Sequence, residues 1–198
     1  MDLDATARIV GIGGTTRPGS STEKAVRFAL DVCREEGATV TCFTASELAA
    51  LPFYAPERPE RTPGAIRLIE EIRAADGLIV GSPGYHGGIS GLIKNALDYT
   101  EDLREDSRPY LTGMPVGCIA TGAGWQGTVS TLAALRDVVH ALRGWATPLG
   151  AALNTSSPCF TPDGQPIDEK VRFQLSTVAN EVMSFTAQRR AGLLTTVG

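Results

Sequence analysis

A segment rich in glycine and hydroxyl side chains, GGTTRPGSST at residues 13–22, has the composition of a loop that surrounds an anion. Arg17 can form a charge-assisted hydrogen bond to a phosphate. Four hydroxyl side chains flank it as further donors: Thr15, Ser20, Ser21 and Thr22. A helix beginning near Ser20 adds free backbone N–H groups and the positive end of its dipole. The segment therefore predicts a phosphate site, although Ser20 to Glu23 also fits a helix capping box that needs no ligand.

This segment matches neither of the two best-known nucleotide-binding loops. A Walker loop requires lysine directly after its last glycine, and Ser20 stands there instead. A dinucleotide-binding loop requires a third glycine, and Thr16 occupies that position. Hydroxyls, amides and one arginine suit the terminal phosphate of a mononucleotide better than a magnesium triphosphate.

A second glycine-rich segment, SPGYHGGISG at residues 82–91, has features of a site for a flat ring system. Pro83 is expected to end the preceding strand, because proline cannot donate to a ladder. Gly84 and Gly87 allow the backbone to approach a ligand closely. Tyr85 and His86 add an aromatic ring and an imidazole at the same place, so a planar ligand fits better than a sugar.

Short apolar runs alternate with segments of helical periodicity along the whole chain. Five runs are typical of strands buried on both faces: residues 8–13, 39–43, 77–82, 116–121 and 147–153. Such alternation predicts βα units, and hence a parallel sheet with helices on both faces. We predict an α/β fold, a flavodoxin-like doubly wound sandwich with a five-stranded parallel sheet of order 2-1-3-4-5.

Ligands of an open parallel sheet bind beyond the carboxyl ends of its strands. The loops after the first, third and fourth strands are the most glycine-rich parts of the chain. The last of them, TGAGWQGT at residues 121–128, adds Thr121, Trp125 and three glycines to the same edge: Gly122, Gly124 and Gly127.

Length and composition limit the remaining possibilities. One domain is expected over residues 1–198, since this length suffices for a full core. The net charge of −4 without a basic run disfavours nucleic acid as a partner. Four cysteines without a CxxC pair indicate free thiols in a reducing cytoplasm, and no Cys/His cluster predicts a metal. Without an apolar run of about 18 residues, a cytoplasmic location and no membrane partner are expected.

Together the three loops resemble those of a known family. SPGYHGGISGLIKNALDY resembles the PxY(N/H)xxxxGxLKNAxD signature of the NADPH-dependent FMN reductases, which are flavodoxin-like flavoproteins. GTTRPGSST is similar to the GSxRxxSxN segment of the same family, and TGAGWQG resembles its third flavin-contacting loop. The resemblance extends over about residues 8–144.

The resemblance also implies which residues hold the flavin. Those expected at the FMN phosphate are Thr15, Arg17, Ser20 and Thr22, with Ser21 beside them. Those expected at the isoalloxazine ring are Pro83, Gly84, Tyr85, His86 and Gly87, and at its other edge Thr121, Gly122, Gly124, Trp125 and Gly127. Gly84 replaces a frequent glutamate and His86 a frequent asparagine, so backbone contacts are expected at these two positions.

The resemblance implies an enzyme that transfers hydride from NADPH or NADH via FMN to free flavin, a quinone or a similar acceptor. It also implies a homodimer or tetramer. Candidate contacts are Trp125, the Pro-rich residues 51–63 and the third helical segment, at residues 89–98. No catalytic side chain is assigned, because the cofactor carries hydride chemistry. Two other classes stay open: a flavodoxin-like electron carrier without its own pyridine-nucleotide oxidation, and a nucleotide-binding module without flavin.

Overall fold

The computed structural model describes residues 6–195, with side chains described as far as residue 192. The strands are β1 Arg8–Gly13, β2 Thr39–Phe43, β3 Gly77–Tyr85, β4 Gly88–Ile89, β5 Pro115–Gly122, β6 Trp145–Ala146 and β7 Ala151–Asn154. The helices are α1 Ser21–Glu35, α2 Ala45–Ala49, α3 Pro63–Ala74, α4 Gly91–Asp98, α5 Trp125–Ala141 and α6 Glu169–Thr195, with a 3-10 turn at Tyr99–Leu103. None of the described helices is long and apolar enough to cross a membrane.

The sheet has the predicted parallel order. Its strands run β2-β1-β3-β5, and both β6 and β7 pair with β5 at the edge. All of these pairs are parallel, and the short β4 is added to β3 as an antiparallel hairpin arm. Because β6 and β7 both lie beside β5, they together occupy the place of the predicted fifth strand. The arrangement therefore corresponds to order 2-1-3-4-5, and the flavodoxin-like prediction is confirmed.

The fifth strand is interrupted, so its prediction as one run over residues 147–153 is wrong. β6 pairs with the amino end of β5, while β7 pairs with its carboxyl end. The Thr147 amide still donates to the Val116 carbonyl at 3.0 Å, and the ladder is interrupted after it, where Pro148 has no N–H to donate. The Leu149 amide donates to Glu181 Oε2 of α6 at 2.8 Å instead, which stabilises the break.

The third strand is longer than predicted. β3 continues through Pro83 to Tyr85, and Pro83 is in register with Thr121 of β5. The ladder to β1 has already ended at Gly13 and Gly81, so a residue without an N–H is tolerated at this end of the strand. The prediction that Pro83 ends the strand is therefore wrong.

Two apolar cores cover the two faces of the sheet. Side chains of α1 and α6 pack on one face, around Ile9, Ile79 and Ile119. Side chains of α3, α4 and α5 pack on the other, around Val10 and Val80. Alternate residues of each central strand therefore enter opposite cores, as expected for strands buried on both faces.

Gly81 allows α1 to pack closely on the sheet, so a larger residue at this position should lower the stability of the fold. A methyl group at Gly81 would lie 2.5 Å from Val26 Cγ2 and 3.2 Å from Thr22 Cγ2. We expect Gly81→Ala to lower the free energy of unfolding by about 1–3 kcal/mol through overpacking. Urea denaturation measures it, with Gly91→Ala as the control, because no heavy atom of the described residues outside the local backbone lies within 4 Å of a methyl group there. Equal stability of the two variants would contradict this packing.

All four cysteines are free thiols, as expected. Burial raises the pKa of Cys33 and of Cys118 to about 12, and that of Cys42 to about 11. Burial also raises the pKa of Cys159. Protonated thiols are poor nucleophiles, so these side chains contribute packing rather than thiolate chemistry.

Candidate functional site

The three glycine-rich loops lie side by side at one edge of the sheet. They follow β1, β3 and β5, which are neighbouring strands. Gly13 is in register with Gly81, and Pro83 with Thr121, so the three loops leave the sheet at similar heights. Every site residue predicted from the sequence lies at the carboxyl end of β3 or β5, on one of these loops, or on the first turn of the helix that follows.

The first loop contains a small hydroxyl turn that leaves its arginine exposed. Thr15 Oγ1 accepts from the Arg17 amide at 3.0 Å and approaches the Arg17 carbonyl oxygen at 3.2 Å. The Arg17 side chain makes no ion pair with any residue that the structure describes. Its guanidinium is therefore available to an anion at this edge.

The start of α1 is capped as the sequence allowed. Ser20 is the N-cap residue, and its Oγ accepts from the Glu23 amide at 3.3 Å. The Glu23 carboxylate accepts from the Gly19 amide at 3.1 Å and pairs with Arg27 at 2.9 Å. A helix leaves its first amides without helical partners, so those of Ser21 and Thr22 still point out of the helix start. Capping and anion binding are therefore compatible here.

A buried hydroxyl pair connects the first loop to the third. Thr22 Oγ1 lies 2.6 Å from Thr121 Oγ1, and the two residues are 1% and 4% exposed. One hydroxyl donates to the other, so one proton of the pair remains for a ligand oxygen. The two loops therefore hold each other in place across 99 residues of sequence.

The second loop is a tight hairpin between β3 and β4. Gly84 pairs with Ile89 and Tyr85 with Gly88, which leaves a two-residue turn. His86 has φ 52° and the following glycine φ 83°, as in a type I′ turn. Tyr85 is 55% exposed and His86 is exposed as well, so the hairpin presents an aromatic side chain and an imidazole to solvent at the site.

Ser82 supports the base of this hairpin, and sequence reasoning missed it. It is fully buried, and its Oγ accepts from the Ser90 amide at 2.9 Å while donating to the Pro83 carbonyl at 2.9 Å. Ser90 in turn caps α4 through the Ile93 amide. A serine at the end of an apolar strand, followed eight residues later by a helix-capping serine, was the available signal.

The third loop leads directly into α5. Gly124 is the N-cap residue and supplies no side-chain hydrogen bond, and Trp125, the first helical residue, is 60% exposed. Thr131 Oγ1 donates to the Gly127 carbonyl at 2.8 Å and lies 3.3 Å from the Gly88 carbonyl oxygen. Thr131 therefore links α5 to the hairpin, a role that its position inside a helix did not indicate.

The glycines of the site fall into two groups. Side chains at Gly84 and Gly122 would meet Thr131 Oγ1 at 2.6 Å and Thr128 Oγ1 at 2.7 Å, so these two glycines are needed for packing against α5. Outside the local backbone, no heavy atom of the described residues lies within 4 Å of a methyl group built at four others: Gly87, Gly88, Gly124 and Gly127. The backbone at these open glycines is accessible to a flat ligand.

The Pro-rich residues 51–63 are held against α4 and the 3-10 turn that follows it. Asn95 accepts from the Tyr54 amide at 2.8 Å and donates to the Pro52 carbonyl at 2.9 Å. The Arg61 guanidinium binds both carboxylate oxygens of Asp102, at 2.6 and 2.8 Å, and holds the pKa of that carboxyl below its usual range. Asn95 of the KNALD sequence thus has a structural role.

A comparison with protein-family models decides the family. The model of the NADPH-dependent FMN reductases matches residues 7–157, which include all three loops. The chain belongs to this family. The resemblance of its sequence motifs is thereby confirmed.

Individual relatives agree with this assignment. The FMN-dependent NADPH-azoreductase of Staphylococcus aureus is 37% identical over 120 residues, which cover 60% of this chain and 60% of the relative. The chain thus spans less than two thirds of the length of that curated relative.

Two solved structures show the fold. FerB, a flavoenzyme NAD(P)H:(acceptor) oxidoreductase from Paracoccus denitrificans, superposes with a TM-score of 0.75 at 20% identity, over 93% of this chain and 98% of FerB. A Streptococcus pneumonia flavodoxin superposes with a TM-score of 0.59 at 16% identity, over 91% of this chain and 99% of the flavodoxin.

Proposed function

We propose that this protein is an FMN-dependent NAD(P)H oxidoreductase whose cofactor binds at the three glycine-rich loops. The observation that carries the proposal is their arrangement at one sheet edge, with hydroxyl and arginine donors on the first loop and open glycines on the other two. Membership of the FMN reductase family supports FMN as the ligand. The donor set and the open backbone fit a molecule with a phosphate at one end and a flat ring at the other.

The phosphate end belongs to the first loop. Arg17 would supply a charge-assisted hydrogen bond, and the amides of Ser21 and Thr22 would supply neutral ones at the positive end of α1. The Thr22–Thr121 pair would add a hydroxyl proton from beneath. Glu23 stays compatible with an anion because Arg27 neutralises its carboxylate.

The ring end belongs to the hairpin and the third loop. The open backbone at Gly87, Gly88 and Gly124 would border the ring, and the exposed rings of Tyr85 and Trp125 would cover it or a second substrate. FMN supplies the hydride chemistry when bound. The protein would contribute binding, orientation and exclusion of water, and no side chain of the site is assigned as an acid or base.

Free flavin and quinones remain the proposed acceptors, and the azoreductase relatives add azo compounds to them. The azo acceptor is taken from the name of a relative, so an acceptor screen with both pyridine nucleotides is the test. We expect NADPH to support turnover with at least one of these three acceptor classes. Turnover with none of them would contradict the reductase assignment.

A flavodoxin-like electron carrier is the second candidate, because the fold is shared with a flavodoxin. Anaerobic mixing of the FMN-loaded protein with NADPH separates the two candidates. We expect rapid bleaching of the flavin absorption band, since a reductase accepts hydride from the nucleotide. An unchanged spectrum with both NADPH and NADH would favour the carrier.

We further propose that the chain forms a homodimer or tetramer through the side of the site. Phe53 is 88% exposed on a segment that Asn95 and Arg61 hold in place, and Trp125 is also exposed. Large apolar side chains on a well-fastened surface favour association with a second copy. Sedimentation of the wild-type protein should show a homodimer or tetramer, and Phe53→Ser should dissociate at higher protein concentration. A monomeric wild-type protein would contradict the proposed assembly.

A further inference from the structure

A pair of adjoining clefts lies at the opposite end of the sheet from the three loops. Trp145 and Phe185 line both clefts, which have volumes of about 580 and 330 Å³. Trp145 lies in β6, which pairs with Pro115 at the amino end of β5, whereas Gly122 lies at the loop end. About six residues of strand separate these ends, or roughly 20 Å. We call this pair of clefts the Trp145 cleft.

Trp145 is held in an exposed position by a fixed backbone. Its amide donates to the Met114 carbonyl at 2.8 Å, and the Gly144 amide donates to the Val139 carbonyl at 2.9 Å. A methyl group at Gly144 would lie only 3.0 Å from Val139 Cγ1, so the turn before Trp145 packs closely. Trp145 is nevertheless 63% exposed. A rigidly mounted, exposed indole is well suited to stack on an aromatic ligand.

Backbone groups along the edge that β6 and β7 form are already hydrogen-bonded to side chains. Arg136 donates to the Thr147 carbonyl at 2.7 Å, and Glu181 accepts from the Leu149 amide at 2.8 Å. Gln174 accepts from the Ala152 amide at 3.2 Å. This edge therefore offers little to an added strand, whether from a peptide or from a second copy. What it offers is a surface of side chains.

The charge of the Trp145 cleft favours an anion. Arg136 lines the larger cleft and Arg189 the smaller one, on either side of Trp145. Neither arginine forms an ion pair with a carboxylate in the part of the chain that the structure describes. Arg136 uses one of its donors for Thr147, and the others remain for a ligand. Asp137 also lines the larger cleft. The two arginines and this aspartate together carry a formal charge of one positive unit.

We propose that the Trp145 cleft is a second binding site, which accepts a small aromatic molecule carrying an anionic group. The ring stacks on Trp145 against Phe185, and the anionic group binds the guanidinium donors of Arg136 or Arg189. The larger cleft has the size of a small-molecule site. This proposal does not depend on the flavin assignment, because the two sites share no residue.

Calorimetric titration with naphthalenesulfonate tests the proposal, in excess FMN and again without it. We expect saturable binding of one molecule per chain under both conditions. Trp145→Ala should weaken it by about tenfold or more, the effect of losing one stacking partner and its buried area. Phe173→Ala removes an exposed ring of α6 that lines neither cleft and should leave the affinity unchanged.

The anionic group is tested with a neutral analogue. Arg189→Gln and Arg136→Gln together should weaken naphthalenesulfonate by about tenfold or more, the effect of a lost charged hydrogen bond, and leave naphthalenemethanol unaffected. Arg189→Gln is also titrated alone, because Arg136→Gln removes a hydrogen bond to the Thr147 carbonyl as well as a donor to the ligand.

Three results would overturn the proposal: no saturable binding to the wild-type protein, equal affinity of Trp145→Ala, or a changed oligomeric state of Trp145→Ala in sedimentation. The last result would make this face a subunit contact. Failure of FMN to bind would leave the naphthalenesulfonate result unchanged and would count only against the proposed function.

Discussion

Replacing Arg17 with alanine should weaken FMN binding by roughly ten- to hundredfold. A hydrogen bond from a charged group contributes about 1.5–3 kcal/mol, and each 1.4 kcal/mol is about a factor of ten in affinity. The Arg17 side chain is exposed and pairs with no described carboxylate, so its removal should leave folding intact. Titration of FMN fluorescence with wild-type and variant protein measures the ratio of dissociation constants.

Arg58→Ala is the matched control for this experiment. Arg58 is also an exposed arginine on a loop, but it belongs to the Pro-rich residues 51–63 rather than to the first loop. We expect its FMN affinity to equal that of the wild-type protein. If Arg17→Ala also binds FMN as the wild-type protein does, Arg17 does not contact the phosphate.

The Thr22–Thr121 pair should show strong energetic coupling in a double-mutant cycle. Thr22→Val and Thr121→Val each leave one buried hydroxyl without its partner, which should lower the free energy of unfolding by about 1–3 kcal/mol. The double variant removes both hydroxyls, so its loss should be smaller than the sum of the two single losses. Urea denaturation of the four proteins gives the coupling energy, and FMN titration shows whether the pair also supports the ligand.

Thr39→Val is the control for the cycle, because Thr39 is an exposed threonine of β2 whose side chain has no hydrogen bond to a described residue. Its effect should stay within about 0.5 kcal/mol. Strict additivity of the Thr22 and Thr121 substitutions would mean that the 2.6 Å contact does not couple the loops.

Buried parallel strands were the most predictable part of the fold. The predicted bounds of β1 and β2 agree with the structure at both ends. The prediction for β3 stops three residues early, and that for β5 is one residue short at each end. These strands are continuous apolar runs, which is the pattern of burial on both faces. The bounds of the edge strand were wrong because its interruption is stabilised by Glu181 of α6, which lies 32 residues away in sequence.

One helix was missed although its start signal is present. Thr44 and Glu47 form a capping box at the beginning of α2, with Glu47 Oε2 2.8 Å from the Thr44 amide. The helix has only five residues, too few to display helical periodicity. Its end leads into the Pro-rich residues 51–63, whose contacts with α4 were equally invisible in the sequence.

The positions of the three site loops followed from the topology, whereas their mutual contacts did not. Strand order places the loops after β1, β3 and β5 at one edge, so the candidate residues could be named in advance. The Thr22–Thr121 bond depends on the exact register of non-adjacent strands and on the approach of α1. The roles of Gly84 and Gly122 also became clear only from the threonines of α5 that face them.

The central claim is that the three loops hold FMN by its phosphate, and a calorimetric comparison of FMN with riboflavin tests it most directly. The two ligands share the ring system and differ in the phosphate, which Arg17 and the start of α1 should bind. We expect one FMN per chain and an affinity for riboflavin that is lower by about tenfold or more. Equal binding of the two ligands, or no binding of FMN, would contradict the claim.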